Sequence, residues 1–256
     1  MLLAEPMGKG HVPTTPKLPN SPYVVHDGTR PQPAKVTPQG AVHVKAPSDA
    51  SVLFGGTDSN AWTSMKGGPA WEVKDGVLVA SKIGDIKTKQ EFSDFQLHLE
   101  WRIPAGRKVN GQGGGNSGVF LPGGHEIQIL ESHANESYPD GEAGALYGQT
   151  PPLVNATLPQ GEWQSYDIIF TSAKTTPDGK LLEPAKVTVI HNGVVLHHNK
   201  AFLGPTRYRQ VANYNGKIAI KGPIRLQFHG DPVEYQNIWI RETGDYDSGE
   251  PVPAIK

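Results

Sequence analysis

Glu126-Ile127-Gln128-Ile129-Leu130-Glu131 is a strand-like run with an acid at each end and an amide between them. It follows Asn116-Ser117-Gly118-Val119-Phe120-Leu121 across a short turn, so the two runs are expected to pair. Pleating sends successive side chains to opposite faces, which puts Glu126 and Gln128 on one face and Ile127 and Ile129 on the other. Glu131 falls at the odd offset and points inward with the isoleucines unless a bulge re-aims it, a device over-represented beside active sites. Two acids on one sheet face, with a neutral hydrogen-bonder between them, suit acid–base work on a sugar or another polyhydroxylated ligand.

Strand signals recur on both sides of this run. Trp71 to Val79 reads as a hairpin closed by Asp75-Gly76, and Val187 to Leu196 as a second closed by Asn192-Gly193. Phe95 to Arg102 alternates, with an apolar set for the core and His98, Glu100 and Arg102 facing the other way. Ile224 to His229 alternates again, with Arg225, Gln227 and His229 on one polar face, and Val233 to Arg241 supplies a closing strand. No amphipathic helix stands out. Many antiparallel strands in about 200 residues predict an all-β chain, a two-sheet antiparallel sandwich of jelly-roll type.

Composition narrows the ligand. The formal net charge of -1 over 256 residues leaves no basic field for nucleic acid or anionic lipid, so an uncharged sugar is the natural partner class. With no cysteine there is no disulfide, thiol nucleophile or cysteine-based metal site. No apolar run approaches the roughly 18 residues that span a bilayer. Met1-Leu2-Leu3-Ala4 meets Glu5-Pro6 at once, which reads as either a cytoplasmic protein or an exported one whose signal has been removed. Nine of the 23 prolines fall before residue 50. Residues 1–50 are therefore read as an extended arm that could wrap the domain, 51–243 as the jelly roll, and 244–256 as a tail. Within the arm, Tyr23 to His26 and Ala41 to Val44 are candidate surface strands.

The remaining chemistry is set against plainer alternatives. Gly111, Gly113, Gly114 and Gly115 lack the ending of a phosphate loop and no helix follows, so they read as a loop bordering a cleft, with Asn116 at its exit offering an amide to a sugar hydroxyl. His229, two residues after Gln227, competes with a surface histidine beside a turn. His125 and His133 flank the acid-bearing strand and could reach its face, whereas His197-His198 reads as exposed surface. Tyr147 and Trp163 are candidate stacking platforms, although aromatics in β proteins more often fill cores. Oxygen ligands abound, which leaves a divalent cation such as Ca²⁺ open as a cofactor, but no run has EF-hand spacing to place it.

Taken in order, several runs carry a family resemblance: Trp71 to Leu78, Gly84-Asp85-Ile86, Asp94 to Arg102, Asn116 to Phe120, Glu126 to Leu130, Gly144 to Tyr147, Gly161-Glu162-Trp163 and Leu226 to Ile238. Together they resemble the 3-keto-disaccharide hydrolase domain over roughly Ser51 to Glu242. The resemblance implies a concanavalin A-like jelly roll related to the family 16 glycoside hydrolases. Those enzymes place two catalytic glutamates in a Glu-x-Asp-x-Glu run or a bulged version one residue longer. Here Gln128 stands where the aspartate would be, which argues against ordinary retaining hydrolysis. Relatives also more often show aspartate at the position of Glu131.

The family chemistry suits a different route. A C3 ketone acidifies the C2 hydrogen, a base removes it, the C1 oxygen leaves, and water adds to the enone. On that basis Glu126, Glu131 and His229 are the expected catalytic groups. Asn116, Gln128, Gln227, Arg225, Glu100, Tyr147 and Trp163 are expected to bind the sugar. Family members are often exported by bacteria, which favours a periplasmic or extracellular location. The alternatives carried forward are a non-catalytic carbohydrate-binding module or lectin, a conventional endo-glycanase, and an assembly protein. The sequence leaves the glycoside, the metal and the oligomeric state open.

Overall fold

The computed structural model describes residues 14–244. Two antiparallel sheets face each other across a single core. The larger runs in the order Val194–Ala201, Lys186–His191, Gln164–Thr171, Phe95–Arg102, Glu234–Glu242, Val77–Val79, Val73–Lys74, with Ser51–Phe54 also paired to Glu234–Glu242. The smaller runs Trp62–Ser64, Ile86–Thr88, Arg225–Leu226, Ser117–Leu121, His125–Ile129. This is the two-sheet sandwich expected, and among the described residues helical structure is confined to two single 3₁₀ turns, Gly111–Gly113 and Pro139–Gly141. No helix among the described residues is long and apolar enough to cross a membrane.

Both hairpins form where their turn residues required. Asp75-Gly76 and Asn192-Gly193 each hold two consecutive positive φ values, 50° and 80°, the geometry of a turn whose twist matches the flanking strands. The last strand, however, is Glu234–Glu242 and lies in the middle of the large sheet, between Phe95–Arg102 and the short Val77–Val79.

Period-two alternation fills the space between the sheets. Leu97, Leu99 and Trp101 from the large sheet meet Val119, Leu121, Ile127 and Ile129 from the small one, all fully buried in one cluster. The side chains between them point away from the core on opposite faces of the sandwich. On the large sheet these are His98 and Glu100, and on the small sheet Glu126 and Gln128.

The described part of the arm packs against the body. Leu18 and Val25 are buried, and Ala34–Lys35 pairs in parallel with Val154–Asn155. The two expected surface strands do not form as such. Val24 makes one isolated bridge with Lys17. The 41–44 stretch runs extended over the outer face of the large sheet, its Val42 N–H on Ser165 Oγ (2.9 Å) and its Val44 carbonyl accepting from Trp239 Nε1 (2.9 Å). Arm contacts explain why the outward polar face of Phe95–Arg102 is buried at His98 and Glu100.

Candidate active site

The outer face of the small sheet opens into a cleft of about 250 Å³, lined by Asn116, Phe120, Glu126, Gln128, Tyr147, Thr206, Tyr208, Gln227 and His229. Alternation along two neighbouring strands and the chain past a third delivers five of these groups. Phe120 comes from Ser117–Leu121, Glu126 and Gln128 from His125–Ile129, and Gln227 and His229 from the chain just past Arg225–Leu226.

Glu126 lies at the base, only 4% exposed. Gly118 lies beside it on the neighbouring strand, where a Cβ would stand 2.4 Å from the Glu126 Oε1. That glycine makes room for the carboxyl. Burial pushes the Glu126 carboxyl up to about 8; the Arg225 guanidinium opposes this and the Asp85 carboxylate adds to it. The carboxyl is therefore protonated at neutral pH and can donate. Arg225 does not reach the cleft, because its guanidinium lies 3.4 Å over the Phe120 ring and bonds Asp85 at 2.5 Å. Its influence on Glu126 is through charge.

A belt of amides surrounds the acid. Gln128 donates to Gln112 Oε1 (3.0 Å), while its own Oε1 is buried with no hydrogen-bond partner. Asn116 bonds the Gln112 carbonyl (2.8 Å), and Gln112 is fixed in turn to Ser137 and Gly141. The glycine loop thus borders the cleft by presenting Gln112 to both amides. An unpaired buried acceptor is costly to leave unmade, which favours a hydroxyl-bearing ligand at Gln128. His229 lines the cleft as an exposed residue, and the Asp231 carboxylate two residues on accepts the Asn116 N–H (3.1 Å).

Aromatic rings form the remaining wall. Tyr147 Oη lies 2.6 Å from Tyr138 Oη, and burial raises the pKa of both phenols. Tyr208 stands at the rim, 66% exposed. Thr206 accepts the Glu126 backbone N–H (3.0 Å) and so joins the wall to the strand.

Of the residues expected from sequence, Glu126, Asn116, Gln128, Gln227, Tyr147 and His229 meet in this cleft. Glu131, Glu100 and Trp163 do not line it. The strand stops at Ile129, and the Glu131 Oε1 turns back to accept the N–H groups of His133 and Ala134 (3.1 Å each), tying the following turn. No bulge re-aims it. Glu100 is buried under the arm on the far sheet. Trp163 packs its ring against the Arg102 guanidinium, 4.5 Å away.

The flanking histidines also turn away. His125 stacks on Phe202 (4.5 Å) and His133 bonds the Thr157 carbonyl (3.0 Å). Of the pair expected on the surface, His198 is exposed, but His197 is buried with its Nε2 on the Gly144 carbonyl (2.9 Å), because the hairpin edge beyond Asn192-Gly193 packs against Gly144.

Sequence reasoning missed Phe120, Thr206 and Tyr208. For the latter two the signal was the length of the stretch between Ala201 and Arg225, too long for a plain connection in a compact domain and so a functional loop by expectation. Among the described residues no three His, Asp or Glu side chains converge to hold a metal ion.

The match to known proteins follows this geometry. The 3-keto-alpha-glucoside-1,2-lyase-like domain matches residues 49–241, which contain every cleft residue. The chain belongs to that family. A 3-keto-disaccharide hydrolase of Bacteroides thetaiotaomicron is 22% identical over 249 residues, covering 77% of this chain and 81% of that one. The crystal structure of a candidate glycosyl hydrolase from Parabacteroides distasonis ATCC 8503 is 45% identical, with a TM-score of 0.75 over 84% of this chain and 93% of that one. A second structure from the same organism, at 21% identity and a TM-score of 0.57 over 78% of this chain and 99% of that one, shares the fold.

Proposed function

We propose that this protein is a glycoside-acting enzyme that cleaves 3-keto-glycosides by elimination followed by addition of water. Support comes from family membership, from the glycoside-acting names of its relatives, and above all from one observation: a buried Glu126, its carboxyl pushed up by desolvation, shares its cleft with His229 and three neutral amides. A second carboxylate at nucleophile distance, which retaining hydrolysis would need, is not among the residues lining the cleft.

The groups fall into complementary roles. His229, the exposed histidine lining the cleft, takes the C2 proton as general base. Electrons move from the C2–H bond into the C1–C2 bond as the C1–O bond breaks. Glu126 gives its proton to the departing oxygen. Asn116, Gln128 and Gln227 hydrogen-bond the C3 carbonyl and ring hydroxyls, stabilising enolate charge through neutral dipoles. Water then adds at C1 of the enone: the Glu126 carboxylate takes its proton, protonated His229 returns one to C2, and both groups are reset. Tyr147 and Tyr208 flank the ring.

The test is release of aglycone from a 3-keto-glucoside and, separately, from its parent glucoside. Release from the keto sugar alone supports the proposal. Release from the parent would restore conventional glycosidase action. Binding without release from either would make the domain a carbohydrate-binding module.

A further inference from the structure

We propose that the N-terminal arm is a working part of the cleft and that His26 is the positioning residue that sets its tyrosine wall. The inference rests on reading that cleft as the active site, and it concerns residues outside the 49–241 family segment.

His26 is completely buried, next to the buried Val25. Its neighbours hold it there. Val25 N–H bonds the Pro16 carbonyl (3.0 Å), and Leu18 N–H bonds the Tyr23 carbonyl (2.9 Å), closing a small loop that inserts into the body. The residue adopts φ of 58°, a left-handed conformation that a non-glycine residue keeps only where its surroundings dictate it. Here the Asp140 carboxylate dictates it by accepting the His26 backbone N–H at 3.0 Å.

The ring then lies among three tyrosines, with centroids 4.1 Å from Tyr138, 5.0 Å from Tyr147 and 5.7 Å from Tyr208. Two of these line the cleft, and the third bonds the Tyr147 hydroxyl. His26 Nε2 accepts the backbone N–H of Arg209 at 3.4 Å, directly after Tyr208. Gly148 leaves space for the ring, since a Cβ there would come within 3.3 Å of the His26 Cε1.

Further along, Gln32 bonds the Ser137 carbonyl (2.6 Å) and Lys35 the His133 carbonyl (3.1 Å), strapping the arm to the loop that carries Tyr138. One face of the wall meets the ligand and the other rests on the arm. Without the ring, Tyr147 and Tyr208 lose the surface against which they are set.

The experiment compares wild type with His26→Asn, which tolerates the left-handed turn but lacks the ring, and with His26→Phe, which keeps the ring but not the acceptor. Each is measured for 3-keto-glucoside kinetics and for deuterium uptake. For His26→Asn, KM should rise about tenfold with kcat changed less than about threefold, a loss of binding common to ground and transition states. Uptake should rise in 138–148 and 206–209 and stay at the wild-type level in Phe95–Arg102. His26→Phe should recover most of the KM and loosen only 206–209.

Wild-type KM and uptake in His26→Asn, or an increase spread equally over Phe95–Arg102, would overturn the inference. So would altered uptake with unaltered KM. Should His26→Asn fail to fold, His26→Phe decides, and unchanged uptake at 206–209 refutes the role of its Nε2. Should wild type release nothing from the keto sugar, the functional reading fails by itself, and the uptake pattern still decides whether the arm holds the wall.

Discussion

Glu126 and Glu100 are both glutamates on sheet strands, both nearly inaccessible, and both on outward faces of the same sandwich, yet their chemistry diverges. Glu100 accepts from Gln236 (2.6 Å), Asn237 (2.7 Å) and His43 (2.6 Å), and lies 3.4 Å from His98. Burial works against its charge, but His98, Asn237, Gln236 and His43 override it and hold the carboxyl down at about 2. A bulge in Glu234–Glu242 between Gln236 and Trp239 aims two consecutive amides at one carboxylate. Among the described residues Glu126 has no such partners, and burial wins. Depth alone does not make an acid catalyst; it is the supply of donors that decides which protonation state the fold prefers.

His98 completes the contrast. Burial opposes its charge, but hydrogen bonds to Asp167 (2.8 Å) and Glu100 lift it to about 8. It stacks on Trp239, which the arm covers. One face of the sandwich therefore holds a satisfied ionic network that fastens the arm, and the other holds an acid without such partners at the base of the cleft. The first is a stability device, and the second is the group on which the proposed chemistry rests.

Exchanging each acid for its amide should separate the two roles. Glu126→Gln should lower kcat on a 3-keto-glucoside by about 10² to 10⁴-fold, the usual worth of a general acid, without lowering the melting temperature. Full activity would remove Glu126 from the mechanism. Gly118→Ala asks whether the carboxyl must stand where it does. Its Cβ displaces the Glu126 carboxylate end rather than backbone, so activity should fall by up to about 100-fold with little loss of stability.

The far face should answer in the opposite currency. Glu100→Gln should cost about 2 kcal/mol of stability, from charged hydrogen bonds lost, with kcat near wild type. Thermal unfolding and aglycone release on one preparation test both halves, and a large loss of kcat at unchanged stability would overturn the division.

The pH dependences should also part. Glu126 is raised from 4.5 to about 8, so the stability from its neutral form is complete below 4.5 and lost as pH rises through 8. The acid-catalysed rate should fall over that upper range, and Glu126→Gln should be the more stable protein at pH 9. For the far face, Glu100 is lowered from 4.5 to about 2, so its contribution is present above 4.5 and lost as pH falls through 2. His98 is raised from 6.5 to about 8, so its contribution is present below 6.5 and lost as pH rises through 8. The network is strongest between 4.5 and 6.5. Glu100→Gln should lower the melting temperature across that window and flatten the slopes below 4.5 and above 6.5, and a profile parallel to wild type would show that the network does not govern stability.

Legibility in the sequence followed the range of the forces involved. Alternation is local, so Ile127 and Ile129 were readable as core, and Glu126 and Gln128 as one outward face. Turn chemistry is local as well, and Asp75-Gly76 and Asn192-Gly193 closed the hairpins where they stood. Alternation could not say which outward face meets ligand. Glu100 and Glu126 carry the same pattern, and only the docking of Val42 to Val44 over the large sheet distinguishes them. Glu131 was misplaced for a similar reason: where a strand ends depends on the Gly114 carbonyl and the 132–135 turn that receive it.

What the sequence determined by itself was the sandwich, the face carrying Glu126 and Gln128, and the sugar-compatible neutrality of the chain. Each rests on a period of two, a turn dipeptide or a sum of charges. What only the tertiary structure decided was the protonation of Glu126, the retirement of Glu100 into a network, the recruitment of Thr206 and Tyr208 from an irregular loop, and the burial of His26 behind the cleft wall. Those depend on desolvation and on partners far apart in the chain, quantities that no local pattern encodes.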